Sequence, residues 1–333
     1  MKNEDRRIIV ADFETSTETW YEKDGYARVW LWGLYDIEED KFEHGIDIES
    51  FLNRILRKDP RGNPVYYFHN LKFDGSYIVN YLLSHDFHYD EDLSFEGTFR
   101  TCISDMGMWY YIEICIYKHK KQKYIVKIQD SLKKIPMPVR DIPQAFGFTD
   151  EQKGELDYDT YRPIGHEPTE QELDYLLHDC KLVARALKEL NQEGFTKMTT
   201  AGDAFEAWKK TLQTENARRK GVRPDTTYRH YYPELPLAVD DYIRRAYRGG
   251  WTYVNPRYAG YIINKHIQVW DINSMYPHKM KCRYLPVGEP IFFTGKPQPT
   301  KYQCYICRIL VSFEIKKGFL PTIQLKNSFL FNP

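Results

Sequence analysis

Asp12 and Glu14 are the first residues in this chain whose types and spacing can do chemistry. They end a short β-branched run, Ile8-Ile-Val-Ala-Asp-Phe-Glu-Thr15, which has the pattern of a buried strand. Strand side chains alternate, so both carboxylates leave on one face while Phe13 leaves on the other, towards a core. Two carboxylates crowded at a strand end repel each other unless a cation lies between them. Hard oxygen ligands at that spacing suit Mg²⁺ or Mn²⁺. Taken alone, such a pair is a solvated strand-to-loop junction, and further acids on the right scaffolding are what would change its meaning.

Two further stretches supply them. Val65-Tyr66-Tyr67-Phe68 is a third apolar run, and it leads into His69-Asn70-Leu71-Lys72-Phe73-Asp74. Ile78, Tyr81 and Leu82 then have helical spacing, which puts Asp74 at a strand-to-helix turn, where the helix dipole favours an ionised carboxylate. Asn70 is placed to cap that helix, and Phe73 to offer a face on which a base stacks. Later, Pro168 and the capping box Thr169-Glu-Gln-Glu172 open a long helix. Leu173, Leu176, Leu177, Cys180, Ala184 and Leu187 fall on one face of it. Tyr175 and Asp179, four apart, fall on a neighbouring stripe. Over the acidic strand end, Asp179 would complete a metal cage and Tyr175 would aim a water at a phosphorus.

The elements that must position these groups are legible in outline. Val29–Tyr35 has the pattern of a strand and Ile48–Leu56 that of a short helix. Thr98–Ser104, Met108–Tyr117 and Tyr124–Gln129 form a meander, with the basic stretch Lys118–Lys123 at a hairpin tip. After Asp130, the Ser131 hydroxyl and the adjacent lysines are suited to holding the backbone of a single strand. The periodicity breaks at Glu193-Gly194, and Met198–Gly202 has the composition of an inter-domain hinge. Val269-Trp-Asp-Ile-Asn-Ser-Met-Tyr-Pro277 repeats the theme of a strand ending in acid and turning into a helix. Tyr302–Ile315 alternates as a strand, which would put Cys304 and Cys307 on opposite faces and argues against zinc.

Asp12-x-Glu14, Asn70-x-x-Phe73-Asp74 and Tyr175-x-x-x-Asp179 together resemble the three exonuclease motifs of proofreading family B DNA polymerases, in order and approximate spacing. The tyrosine variant is indicated, because position 174 is Asp. Tyr67 to Asp74 and Asp130 to Lys134 further resemble the small protein-primed replicases of tailed phages. The resemblance implies a two-metal 3′–5′ exonuclease that uses Mg²⁺ or Mn²⁺, with Asp12, Glu14, Asp74 and Asp179 as ligands and Tyr175 and Lys153 assisting hydrolysis. It makes Thr15, Tyr67, His69, Asn70, Phe73, Ser131, Leu132 and Tyr158 contacts to DNA, at a single-stranded 3′ end. Tyr247-Arg248-Gly249-Gly250 resembles the loop that joins the two activities and touches template. Asp271 to Pro277 resembles polymerase motif A, with Asp271 as a metal ligand and Asp271, Ile272 and Tyr276 facing the nucleotide.

The resemblance implies an α/β fold: a ribonuclease-H-like exonuclease domain over 1–195, then an incomplete polymerase palm over 196–333 with a partial insertion for a terminal protein. Nothing after Pro277 matches the nucleotide-binding helix or the Tyr-x-Asp-Thr-Asp hairpin, so the expectation is an N-terminal portion of a DNA-directed DNA polymerase in which only the exonuclease site is complete. The alternatives are a stand-alone exonuclease and an inert remnant that binds DNA or terminal protein. The totals agree with an enzyme of this kind. A chain of 333 residues exceeds one ordinary core, and its 27 Tyr and 18 Phe supply ample area to bury. Lys+Arg and Asp+Glu are both 47, which argues against a tightly wrapping DNA binder but leaves room for a local basic channel. Six scattered Cys suit a reducing cytoplasm, in the bacterial host if the gene is a phage's. No apolar run is long enough for a membrane span, so no membrane partner is expected.

Overall fold

Alternation along the opening run sorts its residues on to the two faces of a sheet. The structure, a computed structural model, describes residues 7–60, 62, 64–120, 122–148, 156–247, 255, 257–296, 304–310, 312 and 314. In β1 (Ile8–Thr15), Ile9, Ala11 and Phe13 enter one core, while Ile8 and Val10 enter another on the opposite face. A short helix α1 (Glu18–Asp24) follows, and antiparallel β2 (Val29–Asp36) and β3 (Lys41–Gly45) extend the sheet on one side. Helix α2 (Ile48–Ile55) is capped by Asp47, whose side chain accepts the Ser50 N–H. Then β4 (Val65–Phe68) runs parallel to β1, with Val10 opposite Tyr67, and α3 (Leu71–Ser84) leaves its end.

β5 (His88–Tyr89), β6 (Thr98–Ile103), β7 (Trp109–His119) and β8 (Gln122–Asp130) complete an eight-stranded sheet in the order β3-β2-β1-β4-β8-β7-β6-β5. The basic stretch forms the β7–β8 tip as its composition implies. β8 is parallel to β4, so β1, β4 and β8 bring their C-terminal ends to one edge. In open α/β sheets that edge is where ligands bind, because helices start there and loops are free to vary.

Helices α2 and α3 cover one face. There Phe13, Phe51 and Phe68 meet edge-on with ring centroids 4.7 to 5.8 Å apart, each burial worth about 1.5–3 kcal/mol. α4 (Ile142–Phe146) and α5 (Glu170–Gln192) cover the other face, with Cys180, Leu182, Val183 and Leu187 in its core. α5 lies close on β2 because residue 33 is Gly. A Cβ there would stand 2.9 Å from Leu176 and 2.8 Å from Phe42.

Two compact units, residues 1–207 and 208–333, divide inside α6 (Thr200–Thr211). The stretch Met198–Gly202 is therefore not a hinge throughout, since Thr200 already begins that helix, with the Thr199 hydroxyl accepting the Gly202 N–H. The second unit holds α7 (Glu215–Arg219), α8 (Pro224–Tyr231), α9 (Leu237–Arg244) and α10 (Met275–Cys282). Trp208, Tyr228 and Tyr232 pack their rings together there. Among its described residues no strand occurs. The strands expected at Val269–Asp271 and across 304–310 are absent, and these residues are exposed. A strand persists only when a neighbour completes its ladder, and no neighbour stands beside either segment among the described residues. Nor, among them, is any helix long and apolar enough to cross a membrane.

Candidate functional site

The two acids of β1 leave on the face that α5 covers, the face of Ile8 and Val10. Glu14 is buried at 6% exposure, and Asp12 is half-buried. Asp74 sits in the first turn of α3, just past the end of β4. The helix N-terminus there favours a carboxylate. Burial, and then the Asp12 and Glu14 charges, outweigh it and raise the Asp74 pKa well above the usual range. Its Oδ1 is buried and accepts no hydrogen bond.

α5 brings Tyr175 and Asp179, one turn apart and both 5% exposed. The Cys180 thiol is fully buried beside them. Burial, then Asp12, Asp179, Glu14 and Asp74, push its pKa well up. The Tyr175 phenol is also raised, by burial and then by Asp179, Glu14 and Asp12, against the lowering effect of its hydrogen bond with Tyr158. It therefore keeps its proton at ordinary pH. Its oxygen stands 2.8 Å from the Tyr158 hydroxyl.

Asp12, Glu14, Tyr158, Tyr175, Asp179 and Cys180 line one cleft of about 510 Å³, together with Thr15, His69 and Phe73, while Asp74 is buried outside its lining. Phe73 and Tyr158 are about half exposed, at 51% and 49%, and so present ring faces to the cleft. The carboxylates do not close a cage: among the described residues, no three His, Cys, Asp or Glu side chains are arranged to grip one ion. The donor set still fits a hard divalent cation, being all oxygen and including the buried, unbonded Oδ1 of Asp74.

Supporting residues sit behind this surface. His69 places Nδ1 3.0 Å from Ser131 Oγ and Nε2 2.7 Å from the Met137 carbonyl. That carbonyl can only accept, so Nε2 carries a hydrogen. Ser131, expected to touch a strand's backbone, is instead fully buried and donates to the Phe68 carbonyl. It therefore orients His69 from beneath. Asn70 occupies the N-cap position of α3 in a left-handed conformation, φ 73°, and its side chain makes no capping bond. The turn is held from outside, because buried Asp130 accepts the backbone N–H groups of Asn70 and Leu132. Tyr67 is not brought to the cleft either. It lines a separate cavity of about 110 Å³ with Gln129 and Lys134. Leu132 is half-buried outside the cleft lining.

Reading the sequence missed Ser16, Thr17, Val139 and Cys180, all of which line the cleft. It also missed Tyr77, which is hydrogen-bonded to Thr15. Cys180 follows Asp179 directly and Tyr77 lies one helical turn from Asp74, so spacing pointed to both. Nothing local pointed to Val139. Lys153, Arg248, Gly249 and Gly250 lie outside the described residues. Tyr247, Asp271, Ile272 and Tyr276 belong to the second unit and are exposed.

Residues 61–332 match the family described as DNA polymerase type B, organellar and viral. The DNA polymerase of Bacillus phage phi29 is 37% identical over 330 residues, which is 98% of this chain and 53% of the relative. That of Bacillus phage M2 is 39% identical over 329 residues, with the same coverage. That of Streptococcus phage Cp-1 is 29% identical over 328 residues, covering 95% and 52%. A structure of phi29 DNA polymerase complexed with primer-template DNA and incoming nucleotides superposes with a TM-score of 0.77 at 33% identity, over 98% of this chain and 54% of the other. The complex of that polymerase with single-stranded DNA gives 0.71 at 35% identity, over 86% and 47%. The chain thus spans about half the length of these relatives.

Proposed function

We propose a function for a chain that belongs to the organellar and viral type B DNA polymerases: its first unit removes nucleotides from a single-stranded DNA 3′ end as a 3′–5′ exonuclease. The observation that carries this reading is the placement of Asp12, Glu14, Tyr175 and Asp179 around one cleft, with buried Asp74 in the first turn of α3 under the influence of the Asp12 and Glu14 charges. The order β3-β2-β1-β4-β8, with three parallel strands ending at the acids, supports a ribonuclease-H-like exonuclease domain over 1–195.

Asp12, Glu14, Asp74 and Asp179 would hold two Mg²⁺ or Mn²⁺ ions, which supply a lowered pKa for an attacking water and positive charge beside the phosphate. The chain's own side chains do the rest. Phe73 and Tyr158 offer rings on which the terminal bases stack. Tyr175, protonated and flanked by Asp179, orients the water by donating or accepting one hydrogen bond. His69, fixed at both ring nitrogens, forms a rigid wall against the strand. The buried Cys180 thiol is kept inert by its raised pKa, and water is the nucleophile in this reading.

In the same reading, residues 196–333 open a polymerase palm, with Asp271, Ile272 and Tyr276 towards a nucleotide and Tyr247 towards template. Primer-template DNA and a terminal protein are the partners this implies. The exonuclease is tested by incubating the purified chain with a 5′-labelled single strand. We expect stepwise shortening that requires magnesium, stops with chelator, and is abolished in Asp179→Ala while circular dichroism is unchanged. An intact strand under all conditions would overturn the proposal.

A further inference from the structure

The loop that carries Tyr158 into the cleft is held by a single buried side chain that no motif singles out. Arg162 is 4% exposed. Its Nε donates to Glu172 Oε1 at 2.6 Å, and its Nη1 donates to the carbonyls of Asp157 and Thr160, each at 2.7 Å. The two carbonyls bracket Tyr158. The guanidinium lies 4.6 Å from the ring centre of Trp30 and 5.9 Å from that of Trp20, both buried. Glu172 in turn accepts the Thr169 N–H at 2.9 Å, the capping bond of α5. The Arg162 carbonyl accepts from Arg28, which is anchored on Asp24 at 2.9 Å. One guanidinium therefore joins the Tyr158 loop, the first turn of the helix bearing Tyr175 and Asp179, and the tryptophans of α1 and β2.

Stability alone is a weak reason for such a group. A buried ion pair can be exchanged for apolar side chains with little loss. An apolar residue could fill the space between the tryptophans, but it could not bind two carbonyls of the neighbouring loop. A planar fork with several fixed donors can, and lysine cannot reproduce it. We infer that Arg162 is a positioning residue: it fixes the loop at Asp157 and Thr160 so that the Tyr158 hydroxyl stays on Tyr175 and its ring stays in the cleft. For its kinetic consequence this inference rests on the exonuclease reading above.

The test uses the full chain with 3-fluorotyrosine placed at position 158, and the substitutions Arg162→Lys, Arg162→Met, Tyr158→Phe and the Arg162→Lys/Tyr158→Phe double. The Lys variant keeps a buried cation beside Glu172 and is the one expected to fold with unchanged circular dichroism even if the Met variant does not. In it the fluorine resonance of residue 158 should shift and broaden. Hydrolysis of a labelled single strand should fall about tenfold, about as much as in Tyr158→Phe. The double variant should be no worse than the poorer single, because both act through one hydroxyl. An unmoved fluorine line in Arg162→Lys overturns the inference, and so does a double-variant loss equal to the product of the singles. A wild-type chain that leaves the strand intact sinks the exonuclease reading instead, and the fluorine line still decides the role of Arg162.

Discussion

Asp12 and Asp271 stand in nearly the same local text, an apolar run that ends in acid, yet they have opposite surroundings. The run before Asp12 is paired on both sides. Val10 faces Tyr35 in β2 and Tyr67 in β4, and the acid emerges over a floor of buried side chains. The run before Asp271 has Val269 at 91% and Trp270 at 86% exposure and no ladder partner among the described residues. A pattern of apolar residues states a willingness to pair, and only a partner turns it into a strand. A carboxylate acquires unusual chemistry when burial and other acids surround it, as they do Asp74; the pKa of such a group is a property of its neighbourhood.

The widest separation between the two regions should appear in stability. Phe51 is fully buried between Phe13 and Phe68, and Phe51→Ala should cost about 3–5 kcal/mol. Trp270→Ala should change stability by no more than about 0.5 kcal/mol. Urea unfolding followed by circular dichroism measures both. A similar cost at the two positions would mean that the segment around Trp270 is as well packed as the sheet, and the comparison would fail.

Chemistry should divide them next. Asp12→Ala should lower magnesium-dependent hydrolysis by about a hundredfold or more, while Asp271→Ala should leave it at the wild-type rate. Asp12→Ala carries a second signature. The Asp12 charge is among the causes that raise the Asp74 pKa, so its removal relieves repulsion. In chelator the variant should melt at or above the temperature of the wild type. A lower melting temperature would indicate that Asp12 is held by favourable bonds and is not strained against its neighbours.

How far the sequence foretold this molecule follows from the same distinction. β1, the β7–β8 tip and the Thr169–Glu172 box were legible because each is decided within a few residues. The structure shows both reciprocal bonds of that box. The four acids were legible because each lies at a recognisable strand end or helix turn. Ser131 was misplaced because its burial is decided by Phe68 and His69, more than sixty residues away. Asn70 looks like a helix cap by type, but Asp130 takes over its turn from another strand. Arg162 gave no signal at all, since its partners Glu172, Trp20 and Trp30 come together only in the folded chain.

The smallest effect compares two kinds of ion pair and is read through pH. Burial opposes ionisation of Glu172, but the Thr169 N–H, His166 and Arg162 together pull its carboxyl down to about 2 from an ordinary 4.5. A depressed carboxyl holds its proton less tightly when folded than when unfolded. Its stabilisation is therefore complete above about pH 4.5 and is lost as pH falls through about 2. Thr169→Ala, which removes one half of the capping box, should cost about 1 kcal/mol at neutral pH. Glu172→Gln should melt below the wild type at pH 6, and the gap between them should narrow steadily between pH 4.5 and 2. The pairs Arg244–Asp240 and Arg245–Asp241 on α9 are exposed at similar distances, 2.6 and 2.8 Å, and water and salt screen them. Asp241→Asn should leave the melting curve unmoved at every pH. If instead it produced the same pH-dependent gap as Glu172→Gln, distance alone would set the worth of an ion pair here, and the contrast between a packed unit and an open one would lose its electrostatic half.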